Sequence, residues 1–308
     1  MKKKIFTYSA LFFAMLFWGF SFVWTKIALD DFRPFTILII RLVISACFLW
    51  GISLIFKKVK KIALRDFGWI FLLALFEPFL YFIGESYGLT MVSSTVAAVI
   101  VSTIPLVTPF AAFFLLKEKI SVSNIIGIII SLLGVYFVVL KNEYSFAISL
   151  EGLFLLLLAV LSAVAYSMVI VKLSGKYNVF MIISWQNTIG VFYFLPLFFI
   201  FDYKYLTFQN LQWQSFIPLI KLAIFASSLS FMFYTYGVKN FGVSKANMYT
   251  NTVPVFTLIF AWILLDEIIL FKNLIGIFLV LFGLLVAQFN LFGRLALGKK
   301  AQTDIVNN

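Results

Sequence analysis

Residues 87–134 read YGLTMVSSTVAAVIVSTIPLVTPFAAFFLLKEKISVSNIIGIIISLLG, and residues 236–283 read YGVKNFGVSKANMYTNTVPVFTLIFAWILLDEIILFKNLIGIFLVLFG. The second stretch follows the first at a constant offset of 149 residues, and no gap is needed to align them. The offset pairs Tyr87 with Tyr236, Gly88 with Gly237, Pro105 with Pro254, Thr108 with Thr257, Glu118 with Glu267, Asn124 with Asn273, Gly127 with Gly276 and Gly134 with Gly283. Chance is a poor explanation for this agreement, so the sequence indicates a duplicated unit.

The duplicated stretch belongs to a chain that is apolar along most of its length. Of its 308 residues, 63% are hydrophobic and 12% are charged, whereas a soluble domain carries about 25% charged residues. Apolar stretches of about 20 residues, the length that a helix needs to cross a bilayer, recur through the chain. We place ten such spans near residues 6–29, 35–56, 67–89, 93–116, 122–140, 151–171, 179–201, 216–237, 243–265 and 269–290. The sequence therefore predicts an all-α integral membrane protein with ten transmembrane helices.

The basic residues indicate how these spans are oriented. With the N-terminus inside, 17 of the 24 lysines and arginines fall in inside loops or tails, and 4 fall in outside loops. An excess of basic residues is typical of cytoplasmic loops. We therefore expect both termini in the cytoplasm, the loop near 202–215 outside, and a location in the inner membrane of a bacterium.

The repeat and the orientation together predict the architecture. Because five is an odd number, two copies of a five-helix unit enter the membrane upside down relative to each other, as in transporters with inverted repeats. We expect a first five-helix repeat over residues 1–145 and a second, inverted repeat over 146–292. A basic, disordered cytoplasmic tail is expected over 293–308. A central cavity is expected between the two repeats.

The composition excludes several classes of function. The chain has no histidine and one cysteine, Cys47, which excludes a disulfide, a cysteine-rich metal site and a histidine general base. The net charge of +12 is spread between the apolar spans instead of forming one patch, so nucleic acid is not an expected partner. The sequence contains no Walker motif and no glycine-rich nucleotide loop. We expect neither a cofactor nor ATP-driven activity.

Two groups of residues resemble a known family. The first is the stretch WGFSFVWTK at 18–26 in the first span. The second combines Pro105, the sequence KEK at 117–119, Gly127 and Gly134, together with the second-half copy that ends in Asp266 and Glu267. Over about 6–290 the chain resembles EamA-type permeases of the drug/metabolite transporter superfamily. The resemblance implies ten helices, two inverted repeats, a central substrate cavity, and export or exchange of small metabolites.

Two acidic residues lie inside the predicted third span. A charge at the bilayer centre costs roughly 2.5–3.5 kcal/mol on insertion scales, so Glu77 and Glu85 require an explanation. Tyr81 lies four residues from each, and the three side chains form one polar stripe suited to facing a cavity. Because the chain has no histidine, any proton coupling is expected to use a buried carboxylate, Glu77 or Glu85, or alternatively a lysine. The structural alternative is that either carboxylate pairs with Arg41 or caps backbone groups beside Pro78.

Other candidate substrate-binding residues lie on several spans. Arg41, in the second span, is suited to binding a substrate carboxylate, or alternatively to an ion pair with a glutamate of the third span. Its counterpart in the second half is Gln186 or Asn187, and no acid lies inside the second-half spans. The remaining candidates are Trp18, Ser21, Tyr166, Trp185, Asn187, Tyr234, Asn247 and Asn251. Structural alternatives exist for all of them, since aromatic residues also pack or face lipid and asparagines also join helices.

The leading functional hypothesis is a secondary transporter or exporter of a small polar or amphipathic metabolite, such as an amino acid, working by alternating access. Its expected partners are the lipid bilayer, the substrate and protons. One alternative is a membrane enzyme that acts on lipids, with Glu77 or Glu85 as general acid or base. Another is a membrane scaffold without transport. The repeat weakens the enzyme hypothesis, and the buried glutamates argue against a scaffold.

Overall fold

The computed structural model describes residues 2–108, 111, 122–142, 145–146, 149–206, 213–283 and 285–286. In chain order its apolar helices are α1 (Lys2–Asp31), α2 (Pro34–Ile55), α3 (Leu64–Met91), α4 (Ser94–Thr108), α5 (Val122–Val139), α6 (Leu150–Ser174), α7 (Val179–Tyr205), α8 (Trp213–Phe241), α9 (Tyr249–Leu265) and α10 (Phe271–Gly283). A short helix, Val243–Met248, leads into α9. A small antiparallel pair, β1 (Leu140–Asn142) and β2 (Ser145–Phe146), lies between α5 and α6.

The described helices agree with the predicted spans to within a few residues at most of their ends. Six of them, α1, α2, α3, α6, α7 and α8, are long and apolar enough to cross a membrane. The other four are shorter, and the chain between α4 and α5 lies largely outside the described residues. The number of membrane-crossing helices therefore stays a prediction.

Three of the long helices contain irregular backbone, and in α7 it is confined to the C-terminal end, residues 198–205. In α3, Leu75–Leu80 forms a π-helical turn in which Glu77 leaves the helical conformation, with φ −148° and ψ 116°, directly before Pro78. In α8, Leu222–Ser230 forms a π-helical stretch. The 149-residue offset places the α3 turn over residues 224–229, inside that stretch. Proline lacks a backbone donor, and π-turns are frequent at functional sites. The matched irregular segments of α3 and α8 are therefore candidates for a functional role.

The helices pack in a pattern that is unchanged when the two halves of the chain are exchanged. Helix α3 packs against α6, and its counterpart α8 packs against α1. Helices α2 and α7, which are counterparts of each other, also pack together. A side chain at Gly88 would meet Leu156, and a side chain at its counterpart Gly237 would meet Leu11. The two repeats are therefore related by a pseudo-two-fold axis.

That axis passes between α5 and α10. The Ser131 hydroxyl donates to the backbone oxygen of Val280 at 3.0 Å, and these residues are separated by 149 positions, the repeat offset. A β-carbon at Gly134 would lie 2.6 Å from the Gly276 oxygen, so the two backbones touch there. The contact between Gly283 and Gly127 is the repeat copy of this one. Glycines shared by both repeats thus allow α5 and α10 to pack without intervening side chains.

The prediction of a nearly all-helical, two-repeat membrane protein is confirmed. Two other predictions concern residues outside those that the structure describes, namely the KEK sequence at 117–119 and the basic tail at 293–308. The repeat boundaries at 145 and 292 stay predictions.

Candidate functional site

A buried cavity lies between the two repeats. Its volume is about 60 Å³. Residues of α1, α2, α3, α4, α6 and α8 line it, together with Asn247, which precedes α9, and Thr250 and Val253 at the start of α9. Of the twelve substrate-binding candidates, nine line this cavity: Trp18, Ser21, Arg41, Glu77, Tyr81, Glu85, Tyr166, Tyr234 and Asn247. The structure thus brings together side chains that are up to 229 positions apart in the sequence. Their role in substrate binding remains a prediction.

The lining is built from repeat-related positions. Under the 149-residue offset, the paired lining residues are Glu85 and Tyr234, Val101 and Thr250, and Ile104 and Val253. A side chain at Gly88 would meet Leu156 and one at Gly237 would meet Leu11, which sets the offset at 145 residues in the first helix of each repeat. At this offset the lining pairs are Trp18 and Ala163, Ser21 and Tyr166, and Phe22 and Ser167. The cavity therefore lies on the pseudo-two-fold axis, although the paired residues differ in chemistry.

Arg41 supplies the positive charge of the cavity. It is 1% exposed, and its Nε donates to the Ser227 hydroxyl at 2.9 Å. Its guanidinium lies 4.1 Å from the centre of the Phe82 ring. The Nη1 atom is buried and has no hydrogen-bond partner. Within the described part of the chain, no ion pair joins Arg41 to Glu77 or Glu85, so the alternative of a structural ion pair is not realised in this conformation.

Glu77 and Glu85 contribute two carboxyl groups from α3. They are 6% and 3% exposed, respectively, and both line the cavity. Glu77 lies at the irregular turn, and Tyr81 lies beside the Glu85 carboxyl group. On the other side of the turn, the missing side chain of Gly190 in α7 leaves space for the Pro78 ring. A buried carboxylate requires a proton, a cation or a hydrogen-bond donor, so these acids are suited to binding one of them.

The second repeat contributes neutral polar groups. The Tyr166 hydroxyl donates to Gln186 Oε1 at 3.2 Å. The Tyr234 hydroxyl lies 3.3 Å from the Ser167 hydroxyl and donates to Asn247 Oδ1. Among the described residues of this repeat, no acidic or basic side chain lines the cavity. The architecture is two-fold, whereas the charge of the described lining comes from the first repeat alone.

Three candidates lie away from the cavity lining. Trp185 packs edge-on against Trp50 and Phe67, with ring centroids 5.4 Å and 5.0 Å away. Asn187 forms hydrogen bonds to α2 and α8. Asn251 is 7% exposed and does not belong to the lining. For Trp185 and Asn187 the reason is the rotation of α7 about its axis, which turns both side chains toward neighbouring helices.

Sequence reasoning also missed several lining residues, which include Phe22, Phe82, Ser102, Ser167 and Thr250. Phenylalanine, serine and threonine are common throughout apolar helices, so residue type alone does not mark a cavity position.

Sequence comparisons find similar proteins that are named transporters, and a structure comparison finds a similar fold. A sequence profile of the EamA-like transporter family matches residues 5–140 and 150–288. An uncharacterized transporter of Archaeoglobus fulgidus is 27% identical over 290 residues, which cover 93% of this chain and 98% of the relative. The uncharacterized transporter YoaV of Bacillus subtilis is 26% identical over 284 residues, covering 91% of this chain and 95% of the relative. A crystal structure that is 15% identical shares the fold with a TM-score of 0.71, covering 94% of this chain and 98% of that chain.

A two-repeat helical membrane fold around a buried cavity that contains charged side chains, together with relatives that are named transporters, identifies a membrane transporter. Such a protein resides in a lipid bilayer and acts on a small-molecule substrate. The chain belongs to the EamA-like transporter family. The resemblance found in the sequence is thereby confirmed.

Proposed function

We propose that this protein is a secondary transporter that moves a small zwitterionic metabolite of the amino-acid type through the central cavity by alternating access. One observation carries the proposal: Arg41 is buried with a free Nη1 donor, in a cavity that also holds Glu77 and Glu85, neither of which forms an ion pair with a described residue. A cavity with both signs of charge is matched by a ligand that has both.

The substrate carboxylate is expected at Arg41, because a guanidinium binds carboxylates with good geometry and strength. The substrate ammonium is expected at Glu85. Trp18, Phe22 and Phe82 supply aromatic surface for the rest of the molecule. A zwitterion placed this way neutralises Arg41 and one glutamate at the same time, which removes the cost of two unpaired buried charges.

Alternating access requires the two ends of the cavity to open in turn. At one end, Glu267 accepts hydrogen bonds from the Ser94 backbone and the Thr95 hydroxyl, both at 2.8 Å. At the other end, Lys176 forms an ion pair with Asp66. Each of these contacts joins one repeat to the other through polar groups that water can replace. They are therefore suited to breaking and re-forming during a transport cycle.

A second candidate function is the exchange of an organic cation for protons. The cavity holds two carboxyl groups against the single guanidinium of Arg41 among the described lining residues. An amine without a carboxylate would bind to the excess acid, and proton binding to Glu77 would release it.

Counterflow in reconstituted vesicles tests these functions. Vesicles containing the purified protein and loaded with an unlabelled amino acid are expected to take up the labelled amino acid faster than protein-free vesicles, with saturation. Uptake of amines alone would favour the cation exchanger. The absence of uptake of either class would count against transport, and product formation from lipid in detergent would favour an enzyme.

We also propose an inner-membrane location with both termini in the cytoplasm. In a Cys47→Ala background, Tyr205→Cys is expected to react with an impermeant thiol reagent in intact cells, because Tyr205 is exposed at the predicted outer end of α7. Lys60→Cys, in the exposed loop before α3, is expected to react only after lysis. The reverse pattern would overturn the orientation.

A further inference from the structure

Asn187 lies at the junction of α2, α7 and α8, behind the cavity. It is 1% exposed, and its amide nitrogen donates to the Ser45 hydroxyl at 2.6 Å and to the Ser227 backbone oxygen at 2.9 Å. Ser45 in turn lies 2.6 Å from the Ser228 hydroxyl. These bonds connect all three helices at one point.

Ser227 links this junction to Arg41, which lines the cavity. It belongs to the π-helical stretch of α8, where the carbonyls no longer follow the regular α-helical pattern. Its backbone oxygen is bound by Asn187, and its hydroxyl accepts the Nε–H of Arg41 at 2.9 Å. A change at Asn187 therefore reaches Arg41 through one intervening residue.

The arrangement decides which guanidinium donors are available. With Nε bound to Ser227 and one face against Phe82, the orientation of the Arg41 fork is fixed, and Nη1 has no protein partner. Without that restraint, the guanidinium would be free to rotate toward Glu77 and form an ion pair that is absent from this conformation, while Glu85 stays available to an ammonium group. Such a pair would compete with a substrate carboxylate for the same donors.

We propose that Asn187 and Ser227 are positioning residues, which hold Arg41 in the orientation that binds a substrate carboxylate. Asn187 acts through Ser227 and does not touch the substrate. This inference rests on the proposed function, because it assumes that Arg41 receives a carboxylate. It assigns a role to the polar junction of α2, α7 and α8, which does not line the cavity.

The test compares two probes that differ in one group, L-phenylalanine and phenethylamine, which lacks the carboxylate. Binding of both to the purified full-length protein is measured for the wild type, Asn187→Ala and Ser227→Ala. Both variants are expected to bind L-phenylalanine about tenfold more weakly, the effect of losing one charge-assisted hydrogen bond, with little change for phenethylamine. An equal loss for both probes would mean a general structural role and would overturn the proposal.

Thr188→Ala is the matched control. Thr188 is the next residue on α7, and its hydroxyl accepts the indole N–H of Trp50 at 2.9 Å, so the variant loses an interhelical bond without touching Ser227. It is expected to lower the melting temperature and to leave the ratio of the two affinities unchanged. A ratio that changes as much as in Asn187→Ala would contradict the proposal.

A ligand-free measurement separates this inference from the proposed function. Asn187→Ala and Ser227→Ala are each combined with Arg41→Met, which has no donor for Ser227, and melting temperatures are compared. If Arg41 is held through this chain, the combined losses are smaller than the sums of the single losses. Additive losses would overturn the positioning role whether or not either probe binds. Failure of the wild type to bind both probes, with non-additive losses, would count against the proposed substrate class and leave Arg41 positioned as described.

Discussion

Replacing Arg41 with glutamine is expected to weaken binding of an amino-acid substrate by about 10- to 100-fold, because hydrogen bonds to a charged group contribute about 1.5–3 kcal/mol. The glutamine keeps a nitrogen donor at the position of Nε, which binds Ser227, but loses the positive charge and the terminal nitrogens that are expected to bind the substrate carboxylate. The effect is measured as the Kd of the purified protein and as the KM of uptake into vesicles.

Arg33→Gln is the matched control for this prediction. Arg33 precedes α2, its side chain is 50% exposed, and its Nε lies 3.8 Å from the buried Asp202 at the predicted outer end of the bundle. Arg33 does not line the cavity, so the Kd of the control is expected to stay near the wild-type value. An Arg41→Gln protein with wild-type affinity for amino acids would remove Arg41 from the substrate site.

Glu77 and Glu85 are expected to respond differently to neutralisation. If transport is coupled to protons, Glu77→Gln removes the proton-binding group at the irregular turn of α3, and the dependence of transport rate on pH should flatten. Glu85→Gln is expected to raise the Kd of the substrate about tenfold through loss of the ammonium partner, with the pH dependence largely kept. Uptake measured against pH and substrate concentration separates the two effects.

Glu151→Gln controls for the loss of one carboxyl group from the protein. Glu151 lies in the first turn of α6 and is exposed, so neither affinity nor pH dependence is expected to change. If Glu77→Gln and Glu85→Gln also behave like the wild type, the two acids are structural and the transporter is an uncoupled facilitator.

Apolar length and the repeat offset carried most of the fold prediction. Residues 35–56 and 151–171 were predicted as spans and correspond to Pro34–Ile55 and Leu150–Ser174. This works because lipid forces every backbone group of a spanning segment into helical hydrogen bonds, so hydropathy alone fixes the type of element. The π-helical stretch of α8 was not predicted, because side chains bind its carbonyls and hydropathy does not register such bonds. Asn187 of α7 binds the Ser227 oxygen, and Ser228 and Ser230 of α8 bind the oxygens of Ala223 and Phe225.

Most of the candidate residues, charged and uncharged, line the cavity. The positions of Arg41, Glu77 and Glu85 could be predicted from charge alone, because a charged side chain is costly in a membrane. Trp185 and Asn187 are uncharged, and their helix α7 has buried positions on several faces. Hydropathy does not fix the rotation of such a helix, and only the packing of α7 against α2 turns these side chains away from the cavity.

The contact between Ser131 and Val280 indicates how a chain of two repeats can arise. A residue that bonds to its own repeat copy occupies a position where, in a symmetric dimer, one subunit would meet the same residue of the other. If the two halves descend from a five-helix protein that paired in this way, positions 131 and 280 were once a single residue touching its twin. Every substitution there altered both sides of the contact at once. After fusion into one chain, a substitution at one position no longer changed the other, so a serine now faces a valine. For the same reason, the cavity on this axis has its arginine and glutamates in one half only.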